Sequence, residues 1–278
     1  MYRLYIHIPG TQQVYCLTSD NLAMMTIINN IYYPYVFERN EFLGKSVATI
    51  DVSYSDRRII SIYDSSTARE HKFDEEHSVF FVNRFIQNSL QTIPTWNLLH
   101  GAALVVNGKT VLFLGKSESG KTTLTAYLMF VMRQTYISED ILIINYERNE
   151  LTPFPRSLNL RYGTQELLRD VYSFEIPNVS HERLGSYDRL ICKPGNVMND
   201  VSQIDCIVLL QRGKPTTYCT FELIEKNKID ILLNSCFIPT NILDNFKSSI
   251  LLAEKNTLYQ ARYGDLNSFY EKLSELIQ

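Results

Sequence analysis

The sequence predicts an α/β protein built on a mixed sheet, with a smaller α+β domain ahead of it. Three observations carry that expectation. Short runs alternating apolar and polar residues fill roughly the first ninety positions, with two helix-like stretches among them. An Asn-Gly pair, Asn107-Gly108, then stands between two apolar runs, "ALVV" and "TVLFL". Directly after the second run comes "GKSESGKT", which fits G-x-x-x-x-G-K-[ST] at every fixed position from Gly115 to Thr122.

Bulk composition sets the outer limits. A chain of 278 residues can bury a sizeable core, as one large domain or as a small one and a larger one. With 45% hydrophobic and 21% charged residues it reads as an ordinary globular protein. The net charge of -3 supplies no basic field, so neither nucleic acid nor an anionic membrane is an expected partner. Five cysteines (Cys16, Cys192, Cys206, Cys219, Cys236) are odd in number and lack C-x-x-C spacing, which reads as thiols in a reducing compartment. The five histidines show no metal-ligand spacing, so zinc is not expected. "MYRLYIHIPGTQQ" lacks the charged-then-apolar order of a signal peptide, and no run is long enough to span a bilayer. The expected location is the cytoplasm.

Taken in order, "RLYIHI", "QVYCLT", "SVATIDVSY" and "RIISIY" read as strands, and "NLAMMTIINNIY" and "EEHSVFFVNRFIQNSLQ" as helices. In the second helix Val79, Val82, Phe85 and Ile86 share a face. The proline in "TIPTW", residues 92–96, breaks the pattern, and the expected division is a domain over 1–95 and another over 96–278. Asn107-Gly108 predicts a two-residue hairpin, because a type I′ turn needs positive φ at both central positions. The strand entering the glycine-rich loop then pairs antiparallel with its predecessor, which points to a mixed sheet rather than an all-parallel one. Beyond the loop Leu124, Tyr127, Leu128 and Val131 recur at helical spacing and predict a helix over 122–134. "ILIINYE" predicts a strand with Glu139-Asp140 just ahead of it. Acids placed before a strand argue against motor-type nucleotide hydrolases, whose metal-holding aspartate ends an apolar strand. Further on, "DCIVLLQR" and "LYQARYG" read as strands and "NILDNFKSSILLAEK" as a helix. The final helix opens at Asp265 as its N-cap and turns Leu266, Phe269, Leu273 and Ile277 to one side.

The glycine-rich loop has the make-up of a phosphate cradle. Backbone N–H groups of Ser117, Glu118, Ser119, Gly120, Lys121 and Thr122 are expected to surround a phosphate, with Thr123 beside them. Gly115 and Gly120 let the backbone come close. Lys121 is expected to reach the β- and γ-oxygens of a nucleotide, and the Thr122 hydroxyl to meet Mg²⁺. Of the pair Glu139-Asp140, one carboxylate can hold Mg²⁺ and the other can take a proton from an incoming hydroxyl. Its plain alternative is a solvated acidic turn. His100 can orient a phosphate or tune a carboxylate, or it is a structural histidine at a strand end. Arg156 in "PFPRSLNLR" and Lys193 in "CKPGN" offer positive charge for phosphate oxygens, or are ordinary surface cations.

Together "LHGAALVVNGKTVLFLGKSESGKTTL" and the following "ISED" resemble the HPr kinase/phosphorylase family and its stand-alone relatives. The resemblance runs over 98–145 and, more weakly, through "PFPRSLNLR", "CKPGN" and "ARYGDL". It does not reach the first domain. It implies a P-loop kinase domain similar in fold to the nucleotide domain of ATP-dependent phosphoenolpyruvate carboxykinase, with ATP and Mg²⁺ as cofactors. By the same resemblance Asp140 is the general base, Glu139 its acidic neighbour at the metal, and His100 the histidine beside the phosphates. Lys121 and Thr122 are the nucleotide clamp. The family's pair is usually Asp-Asp, whereas the first member here is glutamate, one methylene longer. The Gly-Leu-Gly-containing stretch by which HPr kinases recognise HPr has no counterpart in this sequence. Stand-alone relatives accompany ribosomally made peptide natural products, and kinases that tailor lasso-peptide precursors are the nearest comparison.

The expected function is an ATP- and Mg²⁺-dependent kinase acting on a Ser or Thr hydroxyl of a peptide or small protein, such as a natural-product precursor. Asp140 is its expected base, and the first domain is expected to help bind the acceptor through a strand edge. Two other readings stand beside it: a nucleotide sensor that regulates or scaffolds another enzyme, and a kinase for a small metabolite. Family relatives include hexamers, which leaves a homo-oligomer open.

Overall fold

The structure, a computed structural model, describes residues 1–7, 13–37, 46–54, 59–64, 69–74, 77–90, 96–184, 187–214, 218–236 and 242–278. The expected domain break at 92–95 and the side chain of Phe85 lie outside the described residues. The chain divides into two compact units: Met1–Ile93 with Asn178–Lys193, and Pro94–Pro177 with Pro194–Gln278.

The first unit begins with β1 (Tyr2–His7), β2 (Gln13–Ser19), α1 (Leu22–Ile31), β3 (Val36–Phe37), β4 (Ser46–Tyr54), β5 (Ile59–Asp64), β6 (Arg69–Asp74) and α2 (Ser78–Leu90). Its strands form one sheet in the order β3-β1-β2-β4-β5-β6. Asn21 caps α1 by accepting the Met24 N–H at 3.0 Å, and Met24, Ile27, Ile28 and Ile31 turn its apolar face inward. In α2 Val79, Val82, Ile86 and Leu90 are buried along one stripe.

The second unit opens with β7 (Trp96–Leu99), β8 (Gly101–Val106), β9 (Lys109–Leu114) and α3 (Lys121–Ala126). β8 and β9 form the expected hairpin: Val106 faces Lys109, and Asn107 and Gly108 take φ of +50° and +83°. There follow β10 (Thr135–Glu139), β11 (Leu142–Asn145), β12 (Glu150–Thr152), β13 (Leu158–Leu160) and α4 (Tyr162–Tyr172). The chain then returns to the first unit as a hairpin, β14 (Val179–Leu184) and β15 (Tyr187–Cys192). This departs from the expected division, which kept everything beyond 95 in one domain. The hairpin packs with α1, where the Asn30 amide donates to Glu182 Oε1 at 2.8 Å.

The remaining elements are β16 (Ser202–Gln203), β17 (Cys206–Arg212), β18 (Thr220–Leu223), α5 (Lys228–Ser235), α6 (Ile242–Lys255), β19 (Thr257–Tyr263) and α7 (Leu266–Leu276). The main sheet runs β10-β8-β9-β17-β19-β18 and is mixed: β9, β17 and β19 are parallel, and the pairs at either end are antiparallel. A second, antiparallel sheet runs β16-β12-β11-β7. Leu112, Leu114 and Ile207 of the first share a core with Leu99, Leu142, Ile144 and Leu151 of the second. Asp265 caps α7 by accepting the Ser268 N–H at 2.7 Å, and Leu266, Phe269 and Leu273 are buried.

Two expectations are corrected here. The helix expected over 122–134 is α-helical only to Ala126, then widens into a π turn over Tyr127–Val131, with the Met132 N–H donating to Tyr127 O. Arg133, at φ +56°, stops it. Thr135–Glu139 then form β10 on the edge of the main sheet, so Glu139 ends one strand as well as preceding the expected one, β11. Periodicity cannot reveal so short a strand after a continuous apolar run. The argument against motor-type hydrolases, which rested on the missing strand, therefore fails.

Candidate active site

β9 delivers the chain into the glycine-rich loop and α3 opens at Lys121, the order the motif requires. A Cβ on Gly115 would stand 2.6 Å from Ser119 Oγ, and one on Gly120 would stand 2.6 Å from Tyr263 Oη. Gly120 also adopts φ +91°, where an L side chain is strained. Tyr263 Oη donates to the Ser119 carbonyl at 2.9 Å, tying the loop to the end of β19. Ser117 and Glu118 are exposed, and Glu118 accepts from Arg161 Nη1 at 2.9 Å on the surface. Thr123 and Thr164 share a hydroxyl–hydroxyl hydrogen bond of 2.9 Å, which joins the start of α4 to that of α3.

Lys121 bends over the loop, its Nζ donating to the carbonyls of Gly115 at 2.7 Å and Lys116 at 3.1 Å. Burial pulls its pKa below the ordinary lysine value, and the nearby Glu139 and Asp140 oppose that shift.

One turn of α3 and the end of β10 bring together what the sequence separates. Thr122 Oγ1 donates to Glu139 Oε1, and Glu139 is buried. A bulge at Ile137 shifts the β10–β8 register and re-aims the strand's last residues. Burial pushes the Glu139 pKa up, and the Asp140 charge adds to it. The Thr122 hydrogen bond, Arg156 and Lys121 pull the other way. Asp140 adopts φ +68°, a left-handed conformation that aspartate tolerates better than most residues, and 38% of its side chain is exposed.

Arg156 is only 2% exposed, which excludes the surface-cation alternative for it. Its Nη2 lies 3.4 Å from the Glu139 carbonyl and 3.9 Å from Asp140 Oδ2, and its guanidinium stands over the Phe154 ring at 5.3 Å. Tyr136 Oη donates to the Arg156 carbonyl at 3.1 Å, and Ser138 Oγ accepts the Phe154 N–H at 2.8 Å. Thus β10 places the arginine as well as Glu139.

His100 stands 3.1 Å from the Asp140 carbonyl through Nδ1. A carbonyl only accepts, so the ring carries its proton on Nδ1 in this contact. Burial is the main cause that lowers its pKa, and the Lys121 charge adds to it.

Of the expected site residues, the structure gathers Lys121, Thr122, Glu139, Asp140, Arg156 and His100 around the loop. Lys193 belongs to the first unit, exposed, with Nζ over the Tyr33 ring at 4.8 Å. Sequence reasoning missed Tyr136, Ser138, Thr164 and Tyr263. The first two lie beside "ED" in an unseen strand, and no motif marks the others.

No family model matches the chain, and no curated protein matches it. Among solved structures it is similar to the HPr(Ser) kinase/phosphatase from Coxiella burnetii, at 13% identity and a TM-score of 0.32 over 64% of this chain and 96% of that one. So remote a likeness assigns no activity. The site's chemistry has to do that.

The residues fit a nucleotide phosphate chain and a hard divalent cation. Ser119 Oγ is buried in the cradle with no hydrogen-bond partner, an orphan donor that a phosphate oxygen would satisfy. Thr122 and Glu139 offer oxygen donors side by side, the ligand type Mg²⁺ prefers.

Proposed function

We propose that this chain is an ATP- and Mg²⁺-dependent kinase that phosphorylates a Ser or Thr hydroxyl of a peptide or small protein. One observation carries the reading: two adjacent carboxylates have different surroundings. Glu139 is buried against Thr122 at the foot of the loop, while Asp140 is more than one-third exposed and flanked by Arg156. A carboxylate facing the motif's threonine suits metal binding, and an open one beside it suits proton abstraction.

In this reading Thr122 and Glu139 hold Mg²⁺, which when bound supplies positive charge to the phosphate oxygens. Asp140 takes the proton from the acceptor hydroxyl as that oxygen bonds to the γ-phosphorus and the bond to the β-phosphate oxygen breaks. Lys121 neutralises charge on the phosphate oxygens. His100 holds the Asp140 backbone, and Arg156 holds the Glu139 backbone carbonyl and stands beside the Asp140 carboxylate. A precursor of a ribosomally made peptide is the acceptor class that the sequence resemblance favours.

The test is incubation with γ-labelled ATP, Mg²⁺ and a panel of candidate peptides and metabolites. Label in a peptide, lost in Asp140→Asn, supports the reading. Nucleotide binding without transfer to any of them favours the sensor instead, and label in a metabolite favours the small-molecule kinase.

A further inference from the structure

We infer that Arg212 is a nucleotide-binding residue, a second cation that contacts the phosphate chain from the Tyr263 side of the loop. The inference rests on the nucleotide-binding part of the reading above and extends it to a residue outside the motif.

Strand geometry puts Arg212 there. β9 and β17 are parallel neighbours, with Leu209 of β17 opposite Leu114, the residue that leads into the loop. Arg212 lies three residues further on, at the carboxyl end of β17. In open parallel sheets ligands bind outside the carboxyl ends of the strands. β17 and β19 are also parallel, with Arg212 in register with Tyr263. Residues in register on neighbouring strands project to the same face. Tyr263 points at the loop, since its hydroxyl donates to the Ser119 carbonyl. Its own carbonyl accepts the Gly213 N–H at 2.6 Å, so one residue fixes both the loop and the backbone that carries Arg212.

The side chain is close. A Cβ on Gly120 would lie 3.8 Å from Arg212 Cδ, so the aliphatic stem reaches the glycine at the start of α3. The Tyr263 phenol is pushed up by burial and drawn down by the Arg212 charge, which places the guanidinium's field at the loop-binding hydroxyl. Arg161, by contrast, is held by Glu118. Arg212 is exposed, and among the described residues no carboxylate pairs with it. A guanidinium whose stem lies beside a glycine-rich cradle, with no carboxylate partner among the described residues, matches phosphate oxygens in charge and geometry.

The experiment is calorimetric titration of ADP and of ATP, each with Mg²⁺, into wild type, Arg212→Ala, Arg212→Lys and Arg262→Ala. Arg262 is the exposed neighbour on the opposite face of β19 and controls for net charge. Arg212→Ala is expected to weaken both nucleotides about tenfold or more, with lysine restoring part of the loss and Arg262→Ala staying within about twofold. Melting temperatures check that each variant is folded. Arg212→Ala binding within about twofold of wild type overturns the assignment, as does an equal loss in Arg262→Ala. A wild type that binds nucleotide but transfers no phosphate overturns the kinase reading alone. A wild type that binds neither nucleotide overturns both.

Discussion

The Thr122 hydroxyl, one residue into α3, donates to the Glu139 carboxylate at the buried end of β10. This contact joins the glycine-rich loop to the acidic pair, while burial, against the pull of this hydrogen bond, makes Glu139 sensitive to pH. Burial and Asp140 raise its pKa, so the folded state holds a proton that the unfolded state releases at lower pH. Stability from this group is fully present below the unfolded glutamate value and is lost as pH rises through the raised folded value. Metal-free wild type should therefore lose thermal stability relative to Glu139→Gln as pH rises from about 5 to 9. Melting curves of the two proteins across that range check this, and a pH-independent difference would contradict it.

The open carboxylate has a different test. Asp140→Asn removes a proton acceptor but keeps size and hydrogen-bonding capacity, so transfer should fall about 10²- to 10⁴-fold while nucleotide affinity changes little. Single-turnover transfer and calorimetry separate the two effects. Near wild-type transfer would remove Asp140 from the role of base.

The glycine-rich loop and its hairpin were legible in the sequence because each rests on local backbone demands. Asn107-Gly108 meets the positive φ of a tight turn, and the loop glycines admit close approach. What surrounds the loop was not legible, because distant pairing sets it. β10 is five residues long and becomes a strand by pairing with β8. Hence Glu139 was seen as a candidate while its seat at a strand end, and the parts played by Tyr136 and Ser138, were not. Tyr263 reaches the loop from 144 residues further along the chain, and no spacing rule covers such a contact.

Arg156 tests whether the buried cation is structural or merely nearby. It is almost fully buried against Phe154 and the acidic pair, so Arg156→Met leaves the Glu139 carbonyl and the Asp140 carboxylate without its charge. The exposure of Asp140 discounts the ion-pair share, and the expected loss is about 1–3 kcal/mol in unfolding free energy. Arg156→Lys should recover little, because an ammonium lacks the flat guanidinium that lies over Phe154 while reaching both groups. Urea unfolding of the three proteins gives the answer, and a lysine variant as stable as wild type would show that charge alone suffices.

The steric constraint between Gly120 and Tyr263 ties the loop to the end of β19. Gly120→Ala should lower stability through two effects: strain at φ +91° and a Cβ placed 2.6 Å from Tyr263 Oη. Tyr263→Phe removes that oxygen and also its hydrogen bond to Ser119 O, a loss of about 1 kcal/mol. The clash vanishes in the double variant while the backbone strain remains. The double variant should therefore be more stable than the sum of the single losses predicts, by more than the roughly 0.5 kcal/mol within which independent sites add. Strict additivity would mean that the loop shifts to accept the methyl group, and that Tyr263 does not fix its position.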